Sequence, residues 1–105
     1  MPVYPSSALI RNRARGAAVA TTMGARPVVL LRGHGLAAAG ASVPEAVLRA
    51  ISVDTIAGLA LTIVAAGGRL VDIPDDDWAD LPDLGPGFTE GVGWRHELAR
   101  LGEPG

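Results

Sequence analysis

The chain has 105 residues, enough for one small domain, and its 49% hydrophobic and 19% charged composition is typical of a globular protein. All nine basic residues are arginine and cysteine is absent, so this chain supplies no disulfide, thiolate metal site, cysteine nucleophile or Schiff-base lysine. The net charge of −2 favours neither nucleic acid nor an anionic membrane as a partner.

The beginning of the chain predicts an extended segment followed by a helix. Prolines on both sides of Tyr4 favour extended backbone there. Asn12 is suited to cap a helix, and Gly24 is suited to end it. We therefore predict a helix over residues 13–23.

A continuous aliphatic run over residues 27–31 predicts a strand that is buried on both faces. Arg-Gly-His-Gly interrupts the run, and residues 36–39 resume it. Two strands joined by a turn at residues 33–35, or one bent strand, fit this pattern equally well.

A serine and a glutamate three residues apart, Ser42 and Glu45, predict a capping box at the start of a helix over residues 43–66. Its second half, residues 56–66, has no charge and needs cover on nearly every side. We expect it to be a buried helix, and we infer that a partner covering it is missing from this chain. The uncharged stretch of residues 55–68 is 14 long, whereas a membrane span needs about 20.

The rest of the chain predicts less regular structure. Residues 69–73 alternate like a short strand or an extended segment, and the acidic, proline-rich residues 74–86 indicate a loop with a helical turn near 75–78. A last helix is predicted from a stripe of side chains, namely Phe88, Val92, Arg95 and Ala99. The four final residues are expected to fray.

His34 is the principal candidate for chemistry, because it lies between two glycines directly after the buried strand. Glycines let the backbone turn sharply and leave the imidazole approachable by a ligand. The alternative is a turn histidine bonded to a nearby carbonyl. The other histidine, His96, lies among charged residues and indicates a solvated helix face. Residues 75–77 are three aspartates that lack the spacing of a calcium loop, and we interpret them as solvated.

The order of these features resembles a known family, the class II aldolase/adducin family, in its C-terminal half. The resemblance covers residues 3–68 and is carried by the run Leu-Leu-Arg-Gly-His-Gly at 30–35, then Gly40, Ser42, Glu45 and Ala46. The family includes sugar-phosphate aldolases, ribulose-phosphate 4-epimerases and decarboxylases of aromatic-ring catabolism. Residues 69–105, with Trp94, look closest to the decarboxylases, and we expect residues 1–105 to be part of one domain.

The resemblance implies an α/β fold in which helices flank a mainly antiparallel sheet. It also implies a homotetramer with active sites between subunits and a small-molecule substrate, an oxygenated acid or a sugar phosphate. The cytoplasmic location that we expect rests instead on the sequence, in which no convincing signal peptide or membrane span is found. The family holds a divalent metal, usually Zn²⁺ with Mn²⁺ as an alternative, through a His-x-His pair and a third histidine. His34 matches that third position. Such a metal acts as a Lewis acid that stabilises an enediolate during aldol cleavage or decarboxylation.

The chain also departs from the family pattern. It has no His-x-His pair, no phosphate-binding loop and no matching catalytic carboxylate, all of which belong to the family's N-terminal half. We therefore expect a truncated lyase that is inactive alone. Arg32 is a candidate for binding a carboxylate or phosphate, with a structural ion pair as its alternative. Tyr4 is a candidate proton donor, with packing as its alternative.

A second function from a different class is an association module without catalytic activity, as in adducin. His34 favours the lyase, because a scaffold has no need of an imidazole in that turn. The missing histidine pair favours the association module.

Overall fold

A computed structural model describes residues 1–102 of the chain. These residues form three strands and four α-helices: β1 (Val3–Tyr4), α1 (Arg13–Met23), β2 (Val28–Leu31), β3 (Gly35–Ala38), α2 (Val43–Ala65), α3 (Gly85–Phe88) and α4 (Trp94–Gly102). A 3-10 helix, Asp75–Asp80, lies between α2 and α3. A π-helical segment, Thr89–Gly93, lies between α3 and α4. The chain divides into two compact units, the first ending at Ala50 and the second beginning at Ile51.

The three strands form one mixed sheet in the order β1-β2-β3. β1 runs parallel to β2, with Val3 opposite Leu30, and β2 runs antiparallel to β3, with Val29 opposite Ala37. The apolar run and its continuation are therefore two strands of a hairpin, which resolves the alternative that the sequence leaves open. The α/β class agrees with the prediction, but one of the two strand pairings is parallel, so the sheet is mixed rather than mainly antiparallel.

Helix α1 begins and ends where the sequence predicts. The Asn12 side chain accepts a hydrogen bond from the Arg15 amide at 2.9 Å, and the Gly24 amide donates to the Ala20 carbonyl with Gly24 at a φ of +58°. The helix packs against β1 and β2. Beneath it, Val28 and Val29 of β2 are the buried hydrophobic residues of the described chain. The prediction of a strand buried on both faces holds for these two valines, whereas the rest of β2 is half-buried.

The start of α2 uses half of the predicted capping box. The Ser42 hydroxyl accepts from the Glu45 amide at 3.2 Å, which satisfies one of the free amides at a helix start. The Glu45 carboxylate pairs with Arg49 instead of reaching back to Ser42. At the other end, α2 stops at Ala65, one residue before the predicted end at residue 66. The Gly68 amide donates to the Ile63 carbonyl at 2.8 Å just beyond this end.

The apolar half of α2 is exposed in the described structure. Its large side chains include Leu59 and Leu61, which are 60% and 71% exposed. The prediction of a buried helix is therefore wrong for these residues, because residues 1–102 bring no element to cover them. By length and composition alone, this 23-residue helix, which contains an 18-residue window with a mean hydropathy of 1.8, could also cross a membrane.

The second unit continues from α2 into irregular backbone. Residues 69–74 form no strand, and the predicted helical turn is the 3-10 helix Asp75–Asp80. The predicted last helix is a run from Gly85 to Gly102 that contains a π-helical segment. Of the four final residues predicted to fray, Gly102 is the last residue of α4, and residues 103–105 lie outside the described residues.

Candidate functional site

The turn of the β2–β3 hairpin is tight and depends on glycine. The His34 amide donates to the Leu31 carbonyl at 3.0 Å, which closes a four-residue turn. Gly33 has a φ of +77° and Gly35 a φ of +145°, backbone conformations that are costly for residues with a Cβ atom. The two glycines therefore hold His34 at the tip of the hairpin, where its side chain is exposed.

The imidazole of His34 is fixed by the backbone of the N-terminal segment. Its Nε2 lies 2.6 Å from the Ser7 carbonyl oxygen. Because a carbonyl oxygen only accepts, Nε2 carries the proton in this bond, and the lone pair of a neutral ring is left on Nδ1. A bond from one ring nitrogen to a carbonyl is also how proteins orient histidines that bind metals through the other nitrogen. The arrangement is the carbonyl-bonded turn histidine of the alternative interpretation, and it is compatible with a ligand at Nδ1.

The sheet brings the three sequence-predicted candidates to one end. Tyr4 ends β1 and pairs with Leu31, so parallel β1 and β2 both point their carboxyl ends toward the hairpin turn. The Arg32 amide donates to the Tyr4 carbonyl at 3.3 Å, and its guanidinium donates to the Pro5 carbonyl at 3.4 Å. Ligands of open sheets with parallel strands bind beyond these carboxyl ends. Tyr4 is half-buried, whereas Arg32 and His34 are exposed.

The described residues do not complete a metal site. Within residues 1–102, no three histidine, cysteine, aspartate or glutamate side chains lie close enough together to hold a metal ion. A catalytic zinc site takes three protein ligands and an open position, so the described residues do not supply the whole set. His96 and residues 75–77 belong to the second unit. They are exposed, which agrees with their interpretation as solvated residues.

Sequence reasoning missed the part played by Ser7. Its contribution is a backbone carbonyl, which every residue possesses, and it lies 27 residues before His34. The β1–β2 pairing could have indicated this contact. Because β1 runs parallel to β2, the residues that follow β1 leave the sheet at the end where the hairpin turn lies.

A second feature of the first unit is an open groove of about 430 Å³. Its lining includes the residues around Gly24 and Gly40 together with Arg26 and Arg49. Arg49 is already occupied, because it pairs with Glu45 and donates to the Ala39 carbonyl at 2.8 Å. Arg49 is therefore already engaged within the chain and is not free to bind an anion in this groove.

Comparisons with known proteins place these features in a family. The family model described as the class II aldolase and adducin N-terminal domain matches residues 1–61. Three curated relatives are each named 3,4-dihydroxyphthalate decarboxylase. The protein of Terrabacter sp. (strain DBF63) is 62% identical over 97% of this chain, that of Arthrobacter keyseri 59% over 96%, and that of Rhodococcus jostii (strain RHA1) 50% over 95%. No solved structure matches the chain.

These alignments cover nearly all of this chain but less than half of each relative. The alignments take in 95–97% of this chain but only 41–43% of each relative, so the chain spans about two fifths of their length. They extend past residue 61 into the region that the sequence likens to the decarboxylases. The predicted family resemblance is confirmed, and the partial coverage is consistent with the C-terminal half of such a protein.

Proposed function

The chain belongs to the class II aldolase and adducin family, and from this premise we propose that it forms part of a lyase that removes carbon dioxide from a dihydroxylated aromatic acid. Support for the reaction comes from the names of three relatives that match almost the whole chain. The substrate and the activity belong to the longer proteins, and this chain contributes one portion of such an enzyme.

The observation that carries the proposal is the fixed and exposed imidazole of His34. A glycine turn holds the residue, and the Ser7 carbonyl orients the ring and leaves one nitrogen free to bind. An association module gains nothing from such an arrangement. We therefore assign His34 as one ligand of a divalent metal, Zn²⁺ or Mn²⁺, whose other protein ligands lie outside this chain. The metal, when bound, supplies Lewis-acid stabilisation of negative charge on substrate oxygens.

Arg32 and Tyr4 receive roles that follow from their positions. Decarboxylation breaks the bond between a ring carbon and a carboxylate, releases carbon dioxide, and returns a proton to the ring carbon. The exposed guanidinium of Arg32 lies in the same turn as His34 and has the planar shape that binds a carboxylate through two hydrogen bonds. The phenol of Tyr4, at the end of β1, is proposed as the group that delivers the proton.

The second candidate is an association module of the adducin kind. It is favoured by one observation, the lack of a three-ligand cluster among residues 1–102. The two candidates differ in whether His34 matters, because an association module should tolerate its replacement.

The test is a chimera in which residues 1–102 replace the matched region of the Terrabacter relative. We expect decarboxylation of 3,4-dihydroxyphthalate, and we expect His34→Ala to lower kcat/KM by about a hundredfold or more, as the loss of a metal ligand or its support does. The matched control is His96→Ala, which removes the other, exposed histidine and should leave the rate within about twofold. An active chimera that is indifferent to His34→Ala would contradict the proposal.

A further inference from the structure

The second half of α2 presents an apolar stripe that nothing in residues 1–102 covers. Ile56, Leu59, Ala60 and Ile63 recur at the spacing of one helix face, which we call the α2 stripe. Ile56, Leu59 and Ile63 are 63%, 60% and 42% exposed. Three large aliphatic side chains exposed on one face of a helix are typical of an interaction surface.

Two observations identify the occupant of this surface. The family match runs from residue 1 to residue 61, so it enters the α2 stripe and makes this part of the helix an element of the family's domain. The relatives devote 57–59% of their length to sequence outside the matched region. The α2 stripe is therefore part of the family's domain, and the relatives carry further sequence that this chain does not span. We take that further sequence to be the partner that covers the stripe.

The chemistry of the stripe fits a protein core rather than another environment. Residues 55–65 carry no charged side chain, so a matching surface has to be apolar. The helix as a whole is less suited to lipid, because Arg49 and Asp54 lie within it and charged groups are expensive at the centre of a bilayer.

We infer that the α2 stripe docks against the portion of a class II aldolase-type domain that this chain does not span. The docking buries Ile56, Leu59 and Ile63 and turns the exposed half of α2 into a core helix. The inference rests on the proposed function only in taking its partner from the same family, and it requires no catalytic activity.

The experiment is co-expression of the 105-residue chain with the tagged remainder of the Terrabacter relative, the part outside the matched region. We expect the two chains to co-purify, with equal numbers of each chain in the complex by native mass spectrometry. The double variant Ile56→Glu/Ile63→Glu should lower the recovered complex about tenfold or more, because it places two charges in an apolar interface. The control Thr62→Glu adds a charge beside the stripe, at a residue that is polar already, and should retain the complex.

The folding of the variants is checked separately. The replaced side chains are exposed, so circular dichroism of the variant chains should show unchanged helix content. Failure of the unaltered chain to co-purify would overturn the inference, as would a homodimer that excludes the remainder or partitioning of the chain into phosphatidylcholine vesicles. A complex that forms but does not decarboxylate would instead contradict the proposed function and leave the docking intact.

Discussion

The chemistry assigned to this protein depends on the orientation of one imidazole. The bond between His34 Nε2 and the Ser7 carbonyl selects one ring nitrogen as a donor and leaves the other for a ligand. The turn beneath it depends on Gly33, whose backbone φ of +77° favours glycine. A Cβ atom at this position would also lie 3.4 Å from the Ser7 hydroxyl, close to the carbonyl that orients the ring.

Replacement of Gly33 by alanine should therefore destabilise the hairpin. We expect Gly33→Ala to lower the free energy of unfolding by about 1–2 kcal/mol, the cost of a left-handed conformation for a residue with a Cβ atom. Urea unfolding followed by circular dichroism measures the change. Gly58→Ala is the matched control, because Gly58 lies inside α2 with nothing near its Cβ position, so alanine should stabilise the helix by about 0.5–1 kcal/mol. Equal effects of the two substitutions would contradict this explanation.

At this scale the sequence indicates which side chains are candidates for a site, but it does not indicate which backbone groups hold those side chains in place. His34, Arg32 and Tyr4 can be selected from residue type and neighbouring glycines, and the fold brings all three to one end of the sheet. Their roles in a site stay predictions. The Ser7 carbonyl could not be selected, because a backbone acceptor has no residue-type signal and the bond spans 27 residues.

At the scale of elements, the helix ends are determined by residues close in sequence, whereas the strand pairing in the sheet is not. The caps at Asn12, Gly24 and Ser42 act on amides or carbonyls within four residues, so their residue types predict the helix starts and ends. The parallel pairing of β1 with β2 joins residues that are far apart in sequence, and the two-residue β1 carries no strand periodicity. The π-helical segment Thr89–Gly93 likewise has no residue signature that separates it from the α-helix around it.

The cap of α1 offers a direct check of this local determination. Asn12→Ala removes the acceptor for the Arg15 amide and should cost about 1 kcal/mol of stability, whereas Asn12→Ser keeps an acceptor and should cost much less. The free energy of unfolding of each variant in urea distinguishes them. Equal losses for alanine and serine would show that the side-chain oxygen of Asn12 does not cap the helix.

At the scale of the whole molecule, the chain spans about two fifths of the length of the curated relatives that it matches. Its described core contains two buried aliphatic side chains, Val28 and Val29, while the large side chains of the α2 stripe are exposed. A catalytic zinc site takes three protein ligands, and within residues 1–102 no three histidine, cysteine, aspartate or glutamate side chains lie close enough together to hold a metal ion. The sequence predicts both shortages, because an uncharged half-helix and a solitary turn histidine are visible in it. We propose that both are completed by the part of the family's domain that this chain does not span.

We propose that His34 is a metal ligand once the domain is complete, and the zinc content of the chimera, measured by native mass spectrometry, tests this assignment. We predict about one zinc per chain in the chimera and a loss of that zinc in His34→Ala, with zinc retained in His96→Ala. The isolated 105-residue chain should retain far less zinc than the chimera. A chimera that holds its full zinc after His34→Ala would contradict the claim.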